Sequence, residues 1–216
     1  MNDKAIAALR ELITFYPKKQ YWVQLSFMYS EKGEERKQLA TMDTAYVQDM
    51  LEKDGEYRNM ASLFLSAEVP WKASLVLEEG FEKEIVEDNS KNWELMAGAM
   101  RQAQEVRKAI PAMEKAAKLS DDGDLYARLG NIYLDAEEYN KAIDAIKAGL
   151  DKGGVKRPDN ARLVMGMAYF NLDEYEQARE AFRAARRDER SKKFAEQWIS
   201  YMNSEIERQR KLAEEV

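Results

Sequence analysis

At 216 residues and 45% hydrophobic content, the chain carries enough apolar material for a sizeable core, which excludes disorder as a description of the whole. It has no cysteine and no histidine, so thiolate and imidazole nucleophiles, imidazole bases, disulfides and thiolate or imidazole zinc sites are excluded. Its 34 basic and 40 acidic residues leave a net charge of -6, a mixed-sign solvated surface that argues against nucleic acid as a partner. Only 10 Gly and 4 Pro interrupt it, which favours an all-α chain. No run approaches the roughly 18 to 20 apolar residues that cross a bilayer, and the N-terminus shows no basic-then-apolar export signal, so direct membrane insertion is not expected.

In chain order, Ala5, Leu9, Leu12, Ile13 and Pro17 open the sequence as one amphipathic helix ending at a proline, residues 1–18. Five two-helix units follow. Unit 19–53 carries Trp22, Leu25, Ser26 and Tyr29, then Gly33 in a turn, then Met42 and Ala45. Unit 54–89 carries Tyr57, Met60, Ala61 and Phe64, then Ala73, Leu77 and Gly80. Unit 90–122 has Trp93, Met96, Ala97 and Met100, then Ala109, Met113 and Ala116. Unit 123–158 has Tyr126, Leu129, Gly130 and Tyr133, then Ala142, Ile146 and Gly149; unit 159–190 has Met165, Gly166 and Tyr169, then Tyr175, Ala178, Phe182 and Ala185. A closing helix, 191–216, presents Phe194, Trp198, Tyr201, Met202 and Ile206 at helical spacing before a polar end.

The small residues at equivalent positions, Ser26, Ala61, Ala97, Gly130 and Gly166 in first helices and Ala45, Gly80, Ala116, Gly149 and Ala185 in second helices, are where paired helices must approach to roughly 8 to 10 Å. A fixed period of this length implies a stacked array. Pro70 is expected to open a second helix, Pro17 and Pro158 to lie between units, and Pro111 to fall near a first turn.

This pattern resembles the tetratricopeptide repeat family, which implies an all-α, right-handed superhelical solenoid. The opening helix then matches the second helix of a repeat whose first helix is missing. Its uncovered apolar face makes the chain either a fragment or a homodimer through that end. By the same resemblance, places 2, 5, 9, 12 and 13 of each unit line a concave groove. The partner-binding candidates are Val23, Phe27, Arg58, Ser62, Glu94, Arg101, Asn131, Leu134, Leu163, Met167 and Phe170. Leu163, Met167 and Phe170 are apolar beyond what repeat packing needs, and are expected to form an open patch for a helix or apolar peptide; the competing reading is that the closing helix covers them. The Lys and Asn pair by which chaperone-tail domains hold a terminal carboxylate is absent from places 5 and 9 of every unit. The stretch Arg183 to Lys193, with six basic and two acidic residues, could attract an acidic segment, although such runs commonly serve as solvated turns. Asp121-Asp122 and Glu137-Glu138 are helix caps and dipole partners rather than acid–base pairs. No catalytic residue, cofactor or metal site is expected.

The wording of Phe15-Tyr16-Pro17-Lys18-Lys19-Gln20-Tyr21-Trp22, Glu87-Asp88-Asn89 and Leu119-Ser120-Asp121-Asp122-Gly123 is similar to periplasmic tetratricopeptide proteins encoded beside TonB, ExbB and ExbD systems in marine γ-proteobacteria. That resemblance implies a periplasmic accessory protein of TonB-dependent uptake, holding TonB-system components. Such proteins would begin with an export signal and further repeats, neither of which this sequence carries. A cytoplasmic assembly adaptor and a regulatory module cut from a larger protein are the alternatives.

Overall fold

The computed structural model describes residues 2–214. Among them the chain is all-α, with twelve helices and no strand. It divides into two compact units, Met1–Gln104 and Glu105–Val216. The first contains α1 (Asn2–Phe15), α2 (Lys19–Glu31), α3 (Glu35–Val47), α4 (Asp54–Ser66), α5 (Pro70–Glu82) and α6 (Ser90–Gln102). The second contains α7 (Val106–Lys118), α8 (Asp124–Asp135), α9 (Tyr139–Lys152), α10 (Pro158–Asn171), α11 (Tyr175–Ala185) and α12 (Glu189–Glu214).

All ten small residues at the expected crossing points are buried. A methyl group added at Gly130 would sit 2.4 Å from Ile146 Cγ1, and one at Gly166 would sit 2.6 Å from the Phe182 ring, so α8 meets α9 and α10 meets α11 closer than any larger side chain permits.

Every first helix stops in the same way. Gly33, Glu68, Gln104, Glu137 and Asp173, the fifteenth place of each repeat, adopt φ of 58–68°. The following N–H of Glu34, Val69, Glu138 and Glu174 donates at 2.8–2.9 Å to the carbonyl of Tyr29, Phe64, Tyr133 and Tyr169, closing a Schellman turn. Only the first copy uses glycine, so the other four hold an L side chain in the left-handed region, at about 1–2 kcal/mol each.

Successive repeats are stapled by a carboxylate in the first turn of a first helix. Asp54 accepts from Glu87 N–H at 3.2 Å and Asn92 Nδ2 at 2.8 Å, joining α4 to the entry of α6. Asp124 accepts from Lys156 N–H at 3.0 Å, joining α8 to the entry of α10. Asp159, only 2% exposed, accepts from Ser191 Oγ at 2.7 Å and from the Arg157 and Arg190 guanidinium groups, joining α10 to α12. The Arg157 guanidinium, helped by the Ser191 hydroxyl, holds the Asp159 carboxyl well below the usual carboxylate range against the opposing effect of burial.

Two prolines sit elsewhere than expected. Pro158 is the first residue of α10 rather than part of a linker, a place where its missing N–H is not needed. Pro111 lies inside α7 in its second turn, where its N–H would already be bonded, and the helix continues to Lys118 regardless. That helix keeps Ala109, Ala112, Met113, Ala116 and Ala117 buried, which outweighs the one forfeited backbone bond.

Candidate functional site

In the Met1–Gln104 unit, α2 divides its faces sharply. Leu25, Ser26 and Tyr29 are buried, and Leu25 and Tyr29 join Ile6 of α1 in one cluster with Leu9, Ile13 and Met28. Val23 and Phe27, one turn apart on another face, are 38% and 57% exposed. Burying them in a partner would remove apolar surface from water at about 25 cal/mol per Å². The equivalent places of α4 hold Arg58 and Ser62, both exposed. Arg58 Nε donates to Asp54 Oδ2 at 2.7 Å, and Ser62 Oγ donates to the Arg58 carbonyl at 2.9 Å, so each is preset by a contact one turn back. On α6, Glu94 is half-buried and Arg101 exposed. This face therefore offers an apolar pair on α2 and polar groups on α4 and α6.

The Glu105–Val216 unit departs from expectation. Leu163 is 4% exposed and belongs to a core cluster with Phe182, Ala195 and Met202, against which Met167, Phe170, Trp198, Ile199 and Ile206 are packed. The Phe170 ring lies 5.5 Å from Tyr201, 5.9 Å from Trp198 and 5.9 Å from Tyr175. The expected open patch is thus covered by α12, because a closing helix with its own apolar stripe is the nearest partner for apolar places on the last first helix. Leu134 likewise packs on the cluster of Ala127, Ile146, Ala161 and Val164. Asn131 is half-buried, its Nδ2 donating to the Ala127 carbonyl at 2.9 Å. Of the stripe expected on α12, Met202 is buried and Trp198 and Ile206 partly so, while Phe194 and Tyr201 remain exposed.

Other singled-out residues have structural partners. Within the basic stretch, Arg190 pairs with Asp188 and Asp159, and Lys192 with Glu189; Arg183, Arg186, Arg187 and Lys193 are exposed. In the first unit Tyr46 donates to Glu79, and Lys83 bridges Glu79 and Asp49 at 2.6 and 2.7 Å. Burial and the Glu79 carboxylate push the Tyr46 phenol far above its ordinary range, so it stays a neutral donor. Leu12 and Phe15 of α1, and Tyr16 just after it, lie on the surface, Phe15 at 69% exposure. Among the described residues no cluster of three or more carboxylates is placed to hold a metal ion, and no helix is long and apolar enough to cross a membrane. The first-turn carboxylates Asp54, Asp124 and Asp159 were not anticipated from sequence; their signal is an acid at the first or second place of a repeat with a polar partner about one repeat later.

The family model for the tetratricopeptide repeat matches residues 123–151 and 160–185. No curated protein matches the chain by sequence. Solved structures do match. A MamA protein is 19% identical with a TM-score of 0.66, the match covering 80% of this chain and 92% of that one. MamA from Desulfovibrio magneticus RS-1 is 16% identical with a TM-score of 0.64, over 80% and 95% of the two chains. YrrB, described as a TPR protein with an unusual peptide-binding site, is 16% identical with a TM-score of 0.63, over 82% and 90%. The chain therefore has a tetratricopeptide-repeat fold.

Proposed function

We propose that this chain of tetratricopeptide repeats is a non-catalytic scaffold that holds a segment of a partner protein against the first-helix face of its Met1–Gln104 unit. The observation that carries the reading is the exposure of Val23 and Phe27 on a helix whose Leu25 and Tyr29 are buried in the cluster with Ile6 of α1. An aromatic and a branched aliphatic one turn apart suit an apolar anchor of a peptide, with Arg58, Ser62, Glu94 and Arg101 supplying polar contacts beyond it. The peptide-binding site of YrrB, on a like fold, supports a peptide as the occupant. In the second unit, Asn131 is the groove candidate that remains a polar contact; Leu134, Leu163, Met167 and Phe170 serve packing.

The similarity of Phe15 to Trp22 and of Leu119 to Gly123 to tetratricopeptide proteins encoded beside TonB, ExbB and ExbD supports a finer reading: a periplasmic accessory protein of TonB-dependent transport, with TonB-system components as the partners. The test is titration of purified TonB, ExbB and ExbD soluble domains against the protein and against a Val23→Glu/Phe27→Glu variant. A micromolar or tighter complex weakened about 30-fold by the variant, equivalent to about 2 kcal/mol, is the expected result. No binding to any of the three removes the TonB assignment. An authentic partner that binds the variant equally well removes the α2 face.

A further inference from the structure

A recess in the Met1–Gln104 unit lies on α1, α2 and α3. It is a cleft of about 450 Å³, open to solvent on one side, with Ile13, Trp22, Leu25 and Tyr29 forming its apolar part. That volume falls within the roughly 300–1,000 Å³ of ligand sites. Three features of its lining restrict what fits.

The first is charge. Arg10 and Lys37 line the cleft and no acidic residue does. Lys37 is engaged by Glu34 at 2.6 Å and lies 5.6 Å over the Tyr29 ring, whereas Arg10 has no ion-pair partner among the described residues. A guanidinium with five donors beside an apolar wall is suited to a carboxylate. The second is an aromatic wall. Trp22 lines the cleft while its indole Nε1 is sealed from solvent without a hydrogen-bond partner, so the ring offers an occupant apolar surface rather than its N–H. The third is the state of the hydroxyls. Thr14, Thr41 and Thr44 donate to the carbonyls of Arg10, Lys37 and Ala40 at 2.9, 2.6 and 2.8 Å, so their hydrogens are committed and toward an incoming group their oxygens can only accept. Hydroxyl acceptors suit the N–H groups of a peptide main chain. The apolar wall matches an aliphatic side chain, and Arg10 an acidic one.

We infer that this cleft is a second peptide site, distinct from the Val23–Phe27 face, and that it takes a partner segment in which an acidic residue adjoins an aliphatic one. Trp22 and Phe27 lie on different faces of α2, so the two sites can be loaded independently.

The probe is a blocked five-residue peptide alternating leucine and glutamate, with a glutamine analogue and a lysine analogue as controls. It is titrated into the ¹⁵N-labelled protein, and the Trp22 indole resonance is identified by its loss in Trp22→Phe. The expected result is a saturable shift of that resonance, with the glutamate peptide binding about tenfold tighter than the glutamine analogue. Arg10→Glu, a change at an exposed position, should lower binding of the glutamate peptide at least about tenfold and transfer preference to the lysine analogue. Ala40→Trp, which fills the cleft from α3, should abolish the shift of neighbouring amides. An unmoved Trp22 resonance, equal affinity for the glutamine analogue, indifference to Arg10→Glu, or shifts confined to the Val23–Phe27 face would each overturn the assignment.

Discussion

Phe170→Ala and Phe27→Ala make a paired test of which apolar groove candidates are core. Both residues occupy apolar places on first helices. Phe170 is half-buried, with three aromatic rings at 5.5–5.9 Å, whereas Phe27 is 57% exposed. Full core truncation of a phenylalanine costs about 3–5 kcal/mol, and aromatic pairs add about 0.5–1.5 kcal/mol each without being additive. Partial burial places Phe170→Ala near the bottom of that range, about 3 kcal/mol, and Phe27→Ala within about 0.5 kcal/mol. Because repeat arrays lose stability locally, the loss should concentrate in α12 rather than melt the whole chain. Hydrogen exchange read by mass spectrometry is the assay: peptides spanning α12 should exchange roughly 150-fold faster in Phe170→Ala, the equivalent of about 3 kcal/mol, and at the parent rate in Phe27→Ala. Unchanged α12 protection in Phe170→Ala would refute the packing of α12 over Leu163, Met167 and Phe170, and would return that patch to the list of open surfaces.

Asp159→Asn should destabilise the Glu105–Val216 unit by about 2–3 kcal/mol at neutral pH, since it removes the buried carboxylate and leaves the half-exposed Arg157 and Arg190 without that anion. Asp159 has its folded pKa depressed, so its contribution is fully present above about pH 4 and is lost as pH falls through the lower folded value. Urea titrations from pH 7 down to pH 2 should therefore show the gap between parent and variant narrowing, and a pH-independent gap would contradict the assigned ion pair. Gly130→Ala should lower stability by about 1–2 kcal/mol despite the better helix propensity of alanine, because the new methyl group meets Ile146 Cγ1 at 2.4 Å and the Ala142 carbonyl at 3.1 Å; a raised melting temperature would mean that the helices can separate freely. Glu137→Gly should do the reverse, stabilising by about 0.5–1 kcal/mol through relief of a left-handed backbone at φ 63°, as read by denaturant midpoint at unchanged slope.

The repeat was legible because its signal is local and chemical: a crossing point tolerates only Ser, Ala or Gly, and Ser26, Ala61, Gly130 and the rest are all buried where the period put them. Stop points were partly legible. Gly33 announces a left-handed residue, but Glu68, Gln104, Glu137 and Asp173 adopt the same conformation through the hydrogen bonding of the turn, which composition does not reveal. Phe170 shows where sequence reading ends for the site. An apolar twelfth place reads alike whether it faces solvent or a neighbour, and only the register of Trp198, Tyr201 and Met202 over it decides the matter. Asp159 was missed for a similar reason, since its partners Ser191 and Arg190 come from the next element and are brought to it by stacking.

Site-specific photo-crosslinking in the source cells shows directly whether a partner segment lies on the first-helix face of the Met1–Gln104 unit. A benzophenone amino acid is placed in turn at Phe27 and Ser62, and at Trp71 and Leu75, exposed apolar residues of the second helix α5. One discrete crosslinked partner is expected from Phe27 and Ser62, lost when Val23→Glu is added, and none from Trp71 or Leu75. A partner captured from Trp71 or Leu75 and not from Phe27 would contradict that placement.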